Sequence, residues 1–458
     1  MKKFERLRHI RYFSHCLRTL PKQYSSADTN RLSLVHFCVQ SLDILGCLPH
    51  NNDDDGGGAE DEVCGVVGED VYVNRGEIID WIYGLLVPGG FKGSNYLGPT
   101  TLSSSSSQQQ QHPYDHSHIA MTYVALCTLK ALGDDLSRID KHAILSTLQR
   151  LQKEDGSFVA VSSSTNTEAT TATDDAADEV AEADDDCDLR FMYAAIAVWY
   201  ILTTSSIDSS SSSDENSNKN DYINIQSATN YILSCKSYEG TFGLTPGREG
   251  HGGSTFCGVA SLYLLGVLDD VLSRKEKDEL IYWCVMRQRS LTKKVVDTND
   301  NNNNGGGGGG GGNNGYVMEG EEEPAGMVGR PNKKEDTCYS YWIGGTLHLL
   351  SSSHLIDGWA LREYVLTCQS PYGGFGKVVG AMPDLLHSFY SMAWLTLSKE
   401  DGCCDEDADD DDDGEGEKGG VDNDVYESEM RIQVRESIDR LSKLDCALGM
   451  CSKRTRCR

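Results

Sequence analysis

The chain has 458 residues, 38% of them hydrophobic, and 70 Asp or Glu against 41 Lys or Arg, a formal net charge of −29. No segment reaches the roughly 18 uninterrupted apolar residues of a membrane span, and the N-terminus MKKFERLRHIRYFSHCLRTL has basic residues threaded through it where a secretory signal has an apolar core. Stable membrane insertion and a nucleic-acid partner are therefore not expected, and 16 cysteines scattered through apolar runs without paired spacing read as the reduced thiols of a cytoplasmic protein.

In chain order, six apolar stretches predict helices: RLSLVHFCVQSLDILGCL, HIAMTYVALCTLKALG, LRFMYAAIAVWYIL, STFCGVASLYLLGVL, TCYSYWIGGTLHLL and LLHSFYSMAWLTL. Apolar on most faces, they should be buried on both sides. Convincing period-2 strands are absent. Gly-aromatic turns recur between the helices, as PGGFKG, EDGSFVA, YEGTFGLTPG and YGGFGK, with a degenerate copy in AGMVGRPNK. That recurrence marks a repeat of helical hairpins, which can close into a double-layered ring.

The repeat is interrupted by low-complexity spans at 51–62, 163–186, 204–221 and 297–325, with a Ser/Gln-rich one at 103–111; another follows at 400–424. Such compositions cannot bury apolar surface and are expected to be disordered. Leaving aside the Ser/Gln-rich span, they carry 39 acidic residues and two lysines, so the rest of the chain has a net charge of about +8 and an anionic substrate stays open. The organisation expected is a ring over 1–398 and an acidic tail over 399–458. Within the tail, Met430, Val434, Ile438 and Leu441 have the spacing of one amphipathic helix, read as an addition or partner contact outside the ring.

Chemistry concentrates in RPNKKEDTCY, residues 330–339, where two cationic anion-binders precede Asp336 and Cys338. A thiolate beside a carboxylate suits zinc, and His387 downstream offers a third ligand. From the residues alone, Asp336 and Cys338 could equally be a buried polar pair, Arg330 and Lys333 a solvated basic turn, and His251 in HGGST a turn histidine capping the next helix.

Six ordered motifs then carry a resemblance: RYFSHCLRTLPKQYSSADTNRLSL, HIAMTYVAL, DLRFMYAA, REGHGGSTFCGVASL, GRPNKKEDTCYSYW and GGFGKVVGAMPDLLHSF. The chain resembles the β subunits of protein prenyltransferases, most closely those of the type I geranylgeranyl enzymes. The resemblance implies an all-α fold, an α-α toroid, and a zinc ion held by Asp336, Cys338 and His387 with a fourth position open for a substrate thiol. It implies that His251, Arg330, Lys333 and Tyr339 face the leaving diphosphate of an allylic isoprenoid. Arg190 is implied near the diphosphate or the peptide, although an ion pair with Asp188 is the plainer reading of DLRF.

Single positions separate the enzyme types by resemblance. Farnesyl and Rab-specific enzymes have a magnesium-holding Asp ten residues before the zinc histidine, where this chain has Lys377, so magnesium should not be required. Farnesyl enzymes resemble one another in a Trp where this chain has Ser33, with Phe37 a turn later. The small residue leaves room for a fourth isoprene unit, on the order of 4 kcal/mol of burial. Tyr390, three residues after His387, instead looks like the farnesyl enzyme, and some farnesyl use is expected. His118, Ala120 and Phe191, with Ser33, are implied around the last residue of a C-terminal CaaX peptide, preferably Leu, on proteins such as small GTPases. A helical-repeat α subunit is implied as obligate partner and geranylgeranyl diphosphate as lipid donor.

Two other classes compete. A terpenoid cyclase would protonate its substrate through a DxDD-type motif, matched only by DADD at 407–410 inside a poly-acidic run. A non-catalytic scaffold would need a closed metal site, for which the nearby candidates for a fourth ligand are weak.

Overall fold

A computed structural model describes residues 2–48, 73–95, 116–161, 187–204, 222–289, 292–295, 319–323, 325–399, 438 and 441–451. Its helices are α1 Arg6–Arg18, α2 Arg31–Ile44, α3 Arg75–Tyr83, α4 Ile119–Ala131, α5 Lys141–Leu151, α6 Leu189–Thr204, α7 Ile225–Ser234, α8 Gly252–Leu264, α9 Leu268–Val271, α10 Arg274–Val285, α11 Cys338–Leu349, α12 Gly358–Thr367 and α13 Leu385–Leu397. The spans 51–62, 103–111, 163–186 and 400–424, and all of 204–221 except Thr204, lie outside the described residues. Within 297–325, expected to be disordered, Glu319–Glu323 instead pairs antiparallel with Thr292–Val295. A backbone ladder can form there whatever the composition, because its hydrogen bonds come from the main chain.

The six apolar stretches are α2, α4, α6, α8, α11 and α13, and they close a ring. Each packs against the next in that order, and α13 returns to α2. Buried on both sides, they can be apolar all round, as in α6, LRFMYAAIAVWYILTT. Outside them α1, α3, α5, α7 and α10 pack on α2, α4, α6, α8 and α11. Outer helices are short and half-polar, and capping supports α3, α5, α7 and α10 as well as α12: Asn74, Asp140, Asn224, Ser273 and Asp357 accept from Glu77, Ala143, Ser227, Glu276 and Ala360 backbone N–H groups.

Each Gly-aromatic turn plants one apolar side chain between the layers. Phe91, Phe158, Phe242 and Phe375 are fully buried, and Met327 fills the same place in the degenerate copy. Phe158, Phe242, Met327 and Phe375 each bridge to a residue one to three positions past the end of the preceding helix, Gln152, Lys236, Gln288 and Gln369. Two-residue ladders, Leu86–Val87 with Gly90–Phe91 and Phe375–Gly376 with Pro383–Asp384, extend the pattern. Gly156, at φ +93°, shows why glycine is needed: a Cβ there would lie 2.0 Å from the Ser227 carbonyl oxygen of the next hairpin.

The inner helices run parallel, since their N-terminal residues meet: the His118 ring packs on Phe191 and that of His251 on Tyr339. Their positive dipole ends therefore gather at one mouth of the ring. The tail, expected to lie outside the ring, closes the other end. Ile438, Leu441, Leu444, Cys446 and Ala447 are buried, as are Leu448, Met450 and Cys451. Ser442 donates its N–H to Ile44 O (2.7 Å) and its hydroxyl to Asp43 O (3.0 Å), and Leu444–Asp445 pairs with Met450–Cys451. The apolar residues at 441–451 have a core to join, which the acidic run before them obscures in the sequence.

Candidate functional site

The turn before α11 and the first turn of α13 bring three ligand-type side chains together. Asp336, Cys338 and His387 offer one carboxylate oxygen, one thiol sulfur and one ring nitrogen, all within 4.8 Å of one another. The Asp336 carboxylate accepts the Cys338 N–H at 3.0 Å, which fixes the turn from which α11 starts. His387 is held from the other side by Asp384, the N-cap of α13. One Asp384 oxygen accepts the His387 backbone N–H at 2.9 Å and the other accepts its ring Nδ1–H at 2.6 Å. Nε2 is thereby turned to within 3.2 Å of Asp336 Oδ1. Asp384 was missed from the sequence, although an Asp three residues before a ligand His at a helix start was a readable signal.

Charge settles how the cluster behaves. Burial pushes Asp336 up, but hydrogen bonds from His387 and Cys338 outweigh it and hold the carboxyl at about 2. Burial lowers His387, but Asp336 and Asp384 on either side raise it to about 9. Burial, then the Asp336 charge, drives the Cys338 thiol far above its ordinary value. Two carboxylates and a thiol in one buried space therefore favour cations: a proton on His387, or a divalent metal that would displace the protons from both His387 and Cys338. One hard oxygen, one imidazole and one thiolate are a donor set suited to zinc, with coordination to spare for a further ligand. Lys377 reaches the second Asp336 oxygen at 3.3 Å with its side chain 61% exposed, at the solvent edge of the cluster.

Beside it lie His251, Tyr339 and Arg330. His251 caps α8, its Nδ1 accepting the Gly253 N–H at 3.1 Å, so the capping role read from HGGST is realised. Nδ1 being an acceptor, the ring proton of the neutral imidazole is on Nε2, which donates to Tyr339 Oη at 3.0 Å. Burial, then Arg330, lowers the His251 pKa and favours that neutral form. Burial, then Cys338, holds the Tyr339 phenol up at about 12, so it keeps its own proton to donate onward. Gly329 and Gly252 make this placement possible: a Cβ at Gly329 would lie 2.1 Å from the Tyr339 ring, and one at Gly252 2.9 Å from Ile343. Arg330 follows directly and pairs with Glu249 at 2.6 Å; Lys333 and Lys334 are both exposed, and nothing in the structure separates them. Asn332, at φ +61°, makes the reversal between them.

Arg190, at the start of α6, forms the Asp188 ion pair that the sequence offered as its plainer reading, with Nη2 and Nε on the carboxylate at 2.6 and 3.1 Å. Its side chain is still 64% exposed. The remaining predicted residues are half-buried near the N-terminal ends of the inner helices. Ser33 touches Met121 (3.7 Å), the neighbour of Ala120; His118 caps α4 and meets Phe191 at 5.7 Å. Phe37 meets Tyr390 at 6.1 Å, and Tyr390 packs on Trp342 at 4.2 Å. Met121 and Trp342 were not singled out from sequence, because on apolar helices they look like any other core residue.

Among known proteins, a profile of the prenyltransferase α-α toroid domain matches residues 4–450. The chain is 33% identical over 415 residues to a geranylgeranyl transferase type-1 subunit β of Arabidopsis thaliana, covering 87% of this chain and 86% of that one. It is 30% identical over 403 residues to the Dictyostelium discoideum protein of the same name, covering 84% and 88%. A protein farnesyltransferase subunit β of Pisum sativum is 28% identical over 246 residues, covering 53% and 41%. A solved Candida albicans protein geranylgeranyltransferase-I complexed with GGPP superposes with a TM-score of 0.63 at 20% identity, over 99% and 97% of the two chains, and shares the fold.

Proposed function

Since the chain belongs to the prenyltransferase α-α toroid family, alongside the β subunits of type-1 geranylgeranyl transferases, we propose that it is the catalytic subunit of a protein prenyltransferase that moves a geranylgeranyl group from its diphosphate to a cysteine thiol. The observation that carries the mechanism is the adjacency of Cys338 and Tyr339. Consecutive residues at one helix terminus serve two pockets, one with zinc-type ligands and one with anion donors.

Asp336, Cys338 and His387 would hold zinc, with Asp384 orienting His387. Bound there, the metal supplies Lewis acidity that lowers the pKa of a substrate thiol from about 8.5. The chain's own residues do the rest. Tyr339 donates its phenolic proton toward the diphosphate, backed by His251, while Arg330 and Lys333 bring positive charge to the same oxygens. The thiol proton is released to solvent, a new S–C bond forms at C1 of the isoprenoid as the C–O bond breaks, and the diphosphate leaves with both electrons. The Lys377 ammonium stands where a second cation would otherwise be needed, which supports a reaction independent of magnesium. Lys377 neutralises charge; it does not take up the thiol proton.

Ser33 with Met121, Phe37 and Tyr390 would receive the far end of the lipid, and His118, Ala120 and Phe191 the last residue of a CaaX peptide. An α subunit would complete the enzyme. Tyr282 on α10 and Met286 at its C-terminal cap, 68% and 53% exposed, support a partner over that outer face. Among the described residues no helix is long and apolar enough to cross a membrane; a cytoplasmic enzyme fits the reduced-thiol composition.

The test is co-expression with an α subunit, followed by geranylgeranyl and farnesyl transfer onto peptides ending in Leu or Met, with and without magnesium. Geranylgeranyl transfer to the Leu peptide should dominate and survive chelation of magnesium. A farnesyl preference, or strict magnesium dependence, would sink the type-1 reading.

A further inference from the structure

The first turn of α13, which carries His387, is held from the opposite end of the sequence. A helix start leaves its first backbone N–H groups without partners inside the helix. Asp384 takes the His387 N–H at 2.9 Å. The Leu385 N–H is taken by a side chain from the N-terminal segment, Tyr24, whose Oη accepts it at 2.8 Å. Leu385 is fully buried, so solvent does not stand ready to replace that acceptor.

Tyr24 lies in Lys22–Asn30, a 3-10 stretch without buried residues that joins α1 to α2. Burial holds its phenol up at about 12, so the oxygen accepts as a neutral hydroxyl, and Tyr12 on α1 hydrogen-bonds the same group. The N–H it grips belongs to the peptide unit between Asp384 and Leu385. Asp384 is the residue whose carboxylate meets both the His387 N–H and, at 2.6 Å, the ring Nδ1–H. On its other side Asp384 is held by the ladder with Phe375–Gly376. Rotation of the 384–385 peptide unit would swing that carboxylate, and with it the direction of His387 Nε2 toward Asp336.

Closure of the ring does not need this bond. The first helix is already joined to the last hairpin at Gln369, whose Oε1 accepts the Glu5 N–H at 3.1 Å and meets His9 Nε2 at 2.9 Å, and whose Nε2 donates to Lys3 O at 3.0 Å. His9 Nδ1 also accepts the Gly374 N–H at 3.0 Å. The loop ahead of Asp384 has its own clamp. Thr337, between Asp336 and Cys338, donates its hydroxyl to Gly376 O at 3.0 Å and its N–H to Lys377 O at 2.9 Å. What Tyr24 adds is confined to the start of α13.

We infer that Tyr24 is a positioning residue for the metal centre: by holding the peptide unit between Asp384 and Leu385 it fixes the carboxylate that orients His387. This rests on the prenyl-transfer reading above, which makes zinc the metal. The N-terminal segment then belongs to the site as a brace, three residues from any ligand through Leu385 and Asp384, although none of its side chains is a ligand.

The test uses Tyr24→Phe in the full-length chain co-expressed with an α subunit. Phe keeps the ring and removes one oxygen. Tyr341→Phe, the same chemical change made where the hydroxyl serves Cys446 O, is the comparison. Zinc affinity is measured by competition with a chelator, the visible absorption spectrum is recorded on the cobalt-substituted proteins, and thermal unfolding is followed on the metal-free ones. Tyr24→Phe should weaken zinc binding by about tenfold, the lower end of what loss of a ligand-orienting partner costs, and should change the cobalt spectrum, which reports ligand geometry. Tyr341→Phe should leave both at wild-type values.

A purely structural role would lower the melting temperature of Tyr24→Phe and leave affinity and spectrum unchanged, which overturns the inference. Equal loss of affinity in both variants would trace the effect to general destabilisation and overturn it as well. Wild-type protein that binds no zinc would remove the functional reading together with the brace. Wild-type zinc binding and geranylgeranyl transfer, with an unchanged affinity in Tyr24→Phe, would remove the brace alone.

Discussion

The two ends of the ring are built from opposite materials. At the mouth, inner helices begin with groups that face one another across a half-open space: Asp336, Lys377 and His387 in one cluster, His251 and Tyr339 in the next. At the far end tyrosine hydroxyls meet backbone carbonyls, and the side chains around them are buried. The mouth pairs charged side chains with one another, Asp336 with Lys377 and His387 and Arg330 with Glu249, whereas the floor at the far end pairs neutral hydroxyls with main-chain carbonyls. Function should therefore be fragile at the mouth and stability at the floor, and substitutions at each end can break or sharpen that division.

The largest effect is expected from His387→Ala. Removing one of three ligands should abolish metal retention and lower transfer by about a thousandfold or more, read by metal analysis and turnover on the same sample. Compared as metal-free proteins at neutral pH, the variant should melt below wild type, because Asp336 and Asp384 lose the protonated His387 that pairs with both; retained activity would remove the metal assignment. Asp384→Asn is the subtler form of the same cut. Asn still caps α13, because its Oδ1 can accept the His387 N–H, but its Nδ2 cannot accept the His387 Nδ1–H. Metal affinity should fall by about 10–100-fold in a competition titration, with helix content unchanged.

Between the two ends, Ser33→Trp tests the wall. An indole beside Met121 should take the space of the last isoprene unit and shift preference toward farnesyl by at least about tenfold, since a unit is worth on the order of 4 kcal/mol when fully buried. No shift would take Ser33 out of the lipid pocket.

How much of this was legible in the sequence follows the same division. The inner helices announced themselves because burial on both sides demands uninterrupted apolar runs, and Phe91, Phe158, Phe242 and Phe375 marked the turns because each fills one slot of a repeat. The zinc-type ligands could be named through the motifs around them, though Asp336 and His387 are 51 residues apart and only the closing of α13 onto α11 brings them together. Asp384 stayed hidden because an N-cap aspartate and a ligand-orienting aspartate look alike in sequence. The floor was hidden more deeply. Tyr123, Tyr193 and Tyr341 are ordinary members of apolar helices, and their partners are main-chain carbonyls, which carry no residue signature. The run of acidic residues at 400–424 also made everything after it look like tail.

The smallest effect, and the one that most directly tests the division, is expected from Tyr341→Phe. The ring stays, with its stacking on Tyr390, and one oxygen is lost together with the donor to Cys446 O. Leaving a buried carbonyl short of a partner costs about 1–3 kcal/mol. In a chain of this size that should lower the midpoint of thermal unfolding by several degrees. Because the hydroxyl's partner is Cys446 O and none of the three ligand-type residues, metal content should stay at the wild-type level and saturated geranylgeranyl transfer at a permissive temperature within about twofold. A large loss of turnover without a loss of stability would mean that the floor takes part in the chemistry, and the two ends could no longer be assigned separate work.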